Sequence, residues 1–429
     1  MNIILVKYYV LGVLFTILVS VLIPLYPYYF ALIPFLLLSL KMPTFFFAVL
    51  INGMFLFSYF AKEFVAGFQT IGAVGLAAIG TLLYKNKKNN NVLSIQKKLP
   101  VEIIILFTFG LYLTFSLIWS NANNYGLFKV EGFWLGIFIP FVFLYLFIQK
   151  DYNKLKSIIN LCVIFSVIAS ILLFIENRGV IFGERTTIDN VNSIWIGRYI
   201  GVGLIISYYN CFVNNKVNNI NFKFLWFGLT IFFLVALLVN GSRGPLVASI
   251  ITIILVESIL VKRIKKFSFK TVRSIFIPLL IMCILILSFD KIPRFQNLFS
   301  DENVMERIEF IESSILHFIE KPVFGWGIGG FGFAYKGVDD RIYPHNIIFE
   351  IGLELGIVGL IFFLFLLIRT FVNRKYLFTT DDGRLWTSIF IFFFVNSLFS
   401  GDLFGNATLW LPLAAVIQIR NYNRLNTMS

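Results

Sequence analysis

Arg243 stands in the turn Asn240-Gly241-Ser242-Arg243-Gly244-Pro245, immediately before a long apolar run. Pro near a helix start and the free amides of a first turn make such a position an anion site. A guanidinium adds a planar fork that grips two phosphate oxygens. The competing reading is an interfacial anchor, with its stem in lipid and its charge in water. His345, in Tyr343-Pro344-His345-Asn346, opens another apolar run, and an imidazole with an ordinary pKa of about 6.5 suits general-base work there. The other histidine, His317, lies mid-helix in Leu316-His317-Phe318 and reads as ordinary. Arg307 falls among acids, near Glu302 and Glu309, and Arg198 lies inside an apolar run. Arg198 serves either as an anion ligand or as half of a buried pair with an acid such as Glu354. Cations that neutralise an anionic leaving group, with a base that activates a hydroxyl, describe group transfer.

These residues need a frame, and composition says which kind. Of 429 residues, 59% are hydrophobic and only 14% charged, and Phe alone contributes 52. Mean hydropathy is +0.86. Soluble domains carry about 25% charged residues, so a soluble enzyme, a disordered scaffold and a nucleic-acid-binding domain are excluded. The chain reads as an all-α polytopic membrane protein with about 12–14 spans, since about 20 apolar residues cross a bilayer. The apolar runs are Tyr8–Leu22, Tyr28–Leu40, Pro43–Phe60, Phe64–Tyr84, Val101–Trp119, Gly132–Ile148 and Ser157–Ile175. The others are Ser193–Val213, Phe224–Val239, Pro245–Val261, Ser274–Phe289, Asn346–Ile368, Leu385–Ser400 and Asn406–Ile419.

The net charge of +14 comes from basic residues concentrated in alternate loops such as 85–98, 150–156, 216–223, 262–273 and 369–384. The positive-inside rule then places both termini in the cytoplasm and residues 290–345 outside. Residues 1–429 form one transmembrane domain, into which 290–345 is inserted as a large extracytoplasmic loop. In that loop Val304, Ile308, Ile311, Ile315 and Phe318 recur at helical spacing opposite Glu302, Glu306, Glu309 and Glu312. They predict an amphipathic helix, capped by Ser300 or Asp301 and ended by Pro322, lying on the membrane surface or over a cavity mouth.

Other motifs carry less. Gly325-Trp326-Gly327-Ile328-Gly329-Gly330 spells a dinucleotide fingerprint, but no βαβ unit surrounds it, so its glycines read as tight turns or a close approach to a ligand. Asp339-Asp340 is a solvated acidic pair or a weak cation site. Cys162, Cys211 and Cys283 lie in apolar runs and form no disulfide or metal pattern. Glu102 and Glu257 lie near the inner ends of their spans and read as interfacial. A transporter is the rival class, but transporters place paired charges and broken helices near the midplane. A structural or assembly partner with no activity of its own is a third class.

His345-Asn346, followed after nine residues by Gly356-Ile357-Val358-Gly359, resembles the H-[NSQ]-x9-G-x-x-G signature of bacterial O-antigen ligases and related polysaccharide polymerases. Arg243-Gly244-Pro245-Leu246-Val247 resembles the family's Arg-x3-[Leu/Val] motif, and Arg307 with Pro322 and Gly325-x-Gly327-x-Gly329 resembles its large outer loop. The resemblance spans residue 240 to about 360. It implies a metal- and cofactor-independent glycosyltransferase of the bacterial inner membrane, with its active site on the extracytoplasmic face. The donor would be an undecaprenyl-diphosphate-linked oligosaccharide and the acceptor another glycolipid, a second lipid-linked oligosaccharide for a polymerase or lipid A core for a ligase. A flippase or chain-length regulator would be its partner. The family's essential arginines carry over to Arg243 and Arg307 and its essential histidine to His345. Arg198 joins the donor-binding set by position alone, and Asn346, Gly356, Gly359 and Glu354 support the site. Asn346 would orient the imidazole or bond a sugar.

Overall fold

The computed structural model describes residues 42–55, 100–148, 151–177, 187, 191–214, 219–261, 302–372 and 374–426. The runs Tyr8–Leu22, Tyr28–Leu40, Phe64–Tyr84 and Ser274–Phe289, the basic segments 85–98 and 262–273, and the proposed caps Ser300 and Asp301 lie outside them. The described elements are helices: α1 (Pro43–Asn52), α2 (Val101–Phe115), α3 (Asn123–Ile148), α4 (Tyr152–Glu176), α5 (Ser193–Tyr208) and α6 (Ile220–Asn240). Then follow α7 (Arg243–Val261), α8 (Glu302–Glu320), α9 (Phe331–Lys336), α10 (Ile347–Phe371), α11 (Asp381–Ser397) and α12 (Trp410–Asn426). Six of them, α2 to α6 and α10, are long and apolar enough to cross a membrane. This is a multi-pass membrane protein.

Local chemistry sets the starts of these helices. Asp151, Asn192, Asn219, Asn346 and Thr380 each accept a hydrogen bond from a first-turn amide of the helix that follows. Helix α3 departs from expectation by starting at Asn123 rather than Gly132. Its cap comes from far along the chain, because the Asp339 carboxylate accepts from the amides of Asn124 at 2.7 Å and Tyr125 at 3.0 Å. Asp339 is therefore a helix cap rather than half of a cation site.

The helices alternate in direction. At one end, Asn240 donates to the Ser193 carbonyl, Arg198 to Ser400, Asn346 to Leu398 and Tyr125 to Asp402. At the other, Arg420 and Arg369 lie 2.6 and 3.7 Å from Glu102, and Tyr208 donates to Glu257. Both of these acids are buried inside polar networks rather than left at an interface. Phe works on both surfaces: Phe45, Phe46 and Phe47 of α1 fill the core, with Phe47 4.7 Å from Phe143. Phe222, Phe224 and Phe365 face outward, where lipid would meet them.

Helix α8 forms as predicted and packs on the protein through a face beside its apolar stripe. Phe310 and Ser314 are buried, and Phe310 joins Phe331 and Leu353 in a small core. Ile308, Ile315 and Ile319 stay exposed. The apolar stripe faces away from the protein because α9 and α10 take the neighbouring face, and it is left as an outward strip suited to a membrane surface.

Helix α10 breaks at Gly356, whose φ of 65° and ψ of −164° lie outside helical space. The backbone of residues 322–327 fills the break. Ile357 N donates to Pro322 O at 2.8 Å, Trp326 N to Leu353 O at 2.9 Å and Gly327 N to Glu354 O at 2.8 Å. A Cβ on Gly356 would lie 2.2 Å from the Val323 carbonyl oxygen, and one on Gly325 would lie 2.5 Å from that of Glu354. The glycines of the false fingerprint thus allow backbone to lie on backbone. Gly356→Ala should cost at least ~2 kcal/mol, since that backbone region is essentially glycine-only and the clash adds to it. Thermal unfolding in detergent checks this, with an unchanged midpoint as the contrary result.

Candidate active site

His345 is the residue before the Asn346 cap of α10. It is the one non-glycine with positive φ among the described residues, at 56°, and such strain persists only where the surroundings hold it. Its ring lies 4.5 Å from Tyr343 and stacks at 6.1 Å on Phe310. Neither ring nitrogen has a hydrogen-bond partner among the described residues, and Nδ1 is fully buried. Nε2 is the nitrogen left to meet a substrate. Burial first, then the charge of Arg307, push the imidazole down to about 4, against a weaker upward pull from Asp402. The ordinary value expected from sequence is thus corrected, and His345 is neutral through the physiological range.

Arg307, on the packed side of α8, acts on His345 through its charge. Arg243 opens α7, and its neighbour Gly244 faces Phe399. Arg198 reaches the same region but is only 1% exposed. It donates to the carbonyls of Ser400 at 3.0 Å and Gly405 at 3.4 Å, with its guanidinium 4.8 Å over the Trp195 ring. It is not paired with Glu354, so that reading is overturned: the two turn carbonyls take its terminal nitrogens, and its buried Nε has no hydrogen-bond partner among the described residues. Asn346 is also committed. Its Oδ1 accepts from Ile348 and Phe349 amides, and its Nδ2 donates to Leu398 O at 3.0 Å. Its Oδ1 is thus taken up by the helix start, and one Nδ2 hydrogen remains for a further partner. The segment 398–405 is therefore a hub that gathers α5, α7 and α10 around His345.

Residues 228–364 match the family model described as O-antigen ligase. That segment, a part of the chain, is what is similar to the O-antigen ligase family. Comparison with curated proteins and with solved structures gave no match. The matched segment contains Arg243, Arg307, His345, Asn346, Glu354, Gly356 and Gly359, and leaves out Arg198. The match supports a glycosyltransferase-type enzyme that works on lipid-linked polysaccharide.

Four charged groups behind this site, Lys129, Glu350, Arg341 and Asp402, escaped the sequence reading. Lys129 of α3 is 1% exposed and lies 2.5 Å from Glu350 and 2.6 Å from Glu354, both equally buried on α10. Asp402, fully buried, accepts from Tyr125 OH at 2.6 Å and from Arg341 Nε and Nη2 at 3.3 and 3.4 Å. Burial raises the Asp402 carboxyl, but Lys129, Arg341 and the bonds from Tyr125 and Gly405 bring it below its ordinary value. Glu350 and Glu354 fall within the first two turns or so of α10, about 4 and about 10 Å from its start at 1.5 Å per residue. The paired charges thus lie in the half of α10 nearer His345. His317 pairs with Glu320 at 3.1 Å and plays no part in the cluster.

Proposed function

We propose that this protein transfers an oligosaccharide en bloc from an undecaprenyl-diphosphate carrier to a sugar hydroxyl of another lipid-linked oligosaccharide. That makes it a surface-polysaccharide polymerase; a ligase using lipid A core would run the same chemistry on a different acceptor. One observation carries the reading: inside the family segment, an imidazole with no hydrogen-bond partner is held beside the charge of Arg307.

In the reaction, His345 accepts the proton of the acceptor hydroxyl as its oxygen attacks the anomeric carbon. The bond from that carbon to the diphosphate breaks, and the electron pair leaves with the carrier diphosphate. Arg243 and Arg307 balance the charge on that leaving group, which needs neutralisation more than protonation and calls on no metal. Arg198 shapes the 398–405 turn instead of touching the donor. Donor binding also tunes the base. A diphosphate against Arg307 offsets the positive charge that holds His345 down, so the imidazole becomes more basic once the donor is in place.

The bilayer is the bacterial inner membrane and the site opens on its extracytoplasmic face. In intact cells or spheroplasts, a cysteine replacing the exposed Lys336 should react with an impermeant thiol reagent; labelling only after lysis would reverse the topology. Arg243→Lys tests the chemistry. Lys keeps the charge but loses the fork, so glycan laddering on a gel should drop by at least about tenfold at matched membrane abundance. Ladders of normal length would reduce Arg243 to an interfacial anchor.

A further inference from the structure

We propose that the aromatic cluster around Arg341 is a subsite for a neutral pyranose ring of the acceptor glycan. The inference rests on the transfer reading above and deepens it. The Arg341 guanidinium lies 5.8 Å from the Phe128 and Tyr343 ring centres and 6.0 Å from that of Phe404. Phe128 and Phe404 meet edge to face at 5.3 Å, and all three rings are half-buried, so each keeps an open part. The three come from α3, the segment before α10 and the 398–405 turn, elements that sequence distance keeps apart.

The cation among them is fixed in orientation. Asp402 takes its Nε and Nη2 edge and is itself held by Tyr125 and the Gly405 amide. Nη1 has no protein partner among the described residues, and the Arg341 side chain is 51% exposed. Flat apolar rings beside a held N–H donor match the two faces of a pyranose, whose axial C–H groups stack on aromatics while its hydroxyls accept hydrogen bonds. Charge selects the class of sugar. Arg341 and Lys129 face three carboxylates, Asp402, Glu350 and Glu354, so nothing favours an acidic residue. Place selects the role. Tyr343 touches both this cluster and His345, at 4.5 Å, so a sugar stacked there lies one ring from the base that takes the acceptor proton.

The test is saturation-transfer NMR on the full chain in lipid nanodiscs. The probe is the single-repeat oligosaccharide released by mild acid from the lipid carrier of cells lacking this activity. Wild type and His345→Ala should both transfer saturation to the sugar ring protons. Phe128→Leu and Phe404→Leu keep apolar bulk but lose the flat ring, and each should weaken binding about tenfold. Arg341→Gln should do the same. Undiminished binding in both Phe variants, or no binding by wild type, overturns the subsite. If the binding pattern holds while purified protein transfers no glycan, the transfer reading falls and the subsite stands.

Discussion

His345→Ala is expected to abolish glycan extension by about 10²–10⁴-fold, the usual contribution of a positioned base, while donor binding survives. Binding and chemistry separate because Arg243 and Arg307 lie on α7 and α8 and do not depend on the imidazole. His317→Ala should stay within a few fold of wild type, since that ring is engaged with Glu320. A pH profile sharpens the prediction. The base must be unprotonated, and burial with Arg307 holds it down to about 4. The acid limb of kcat/KM, which reports the free enzyme, should therefore fall near pH 4 rather than near 6.5. The limb of kcat should lie higher, because bound diphosphate offsets Arg307. Normal ladders from His345→Ala would remove the base assignment. Asp339 and Glu354 are poor replacements, since one caps α3 and the other faces Lys129.

Lys129→Ala is expected to destabilise the protein by ~3–5 kcal/mol, because it leaves two buried carboxylates facing each other without a cation. Unfolding in detergent should show the loss. Adding Glu350→Gln and Glu354→Gln should restore most of it, since the amides carry no charge to leave unpaired. The triad joins α3 to the first turns of α10, the helix that carries Asn346 at its start. A cost under about 1 kcal/mol, or no rescue by the two Gln changes, would mean that the three charges are not coupled as described.

Apolar length made the membrane fold legible, because a bilayer demands long apolar helices whatever their tertiary contacts. Short motifs marked the residues proposed for the site: His345 with Asn346, Arg243, Arg307 and the Gly356 to Gly359 pair. Lys129 was not. It lies in the polar stretch before Gly132, which becomes helix only because Asp339, more than two hundred residues later, caps it. Asp402 lies in a short gap between two apolar runs and gains meaning from Tyr125 and Arg341, which are remote in sequence. The signal available was a charged residue in so short a turn. The stripe of α8 was legible as well. Ile308 and Ile315 mark an outward face, and in a membrane protein apolar spacing marks lipid contact as readily as core.

The central claim is transfer of a glycan from a diphosphate carrier by this chain alone. Purified protein in liposomes should be given undecaprenyl-diphosphate-linked repeat unit, and the lipid products resolved by mass spectrometry. The account predicts species with two and more repeats, together with free undecaprenyl diphosphate in matching amount, and neither from His345→Ala. Donor that crosses the bilayer with its glycan unchanged in length, equally in wild type and His345→Ala, would contradict it and make the protein a transporter.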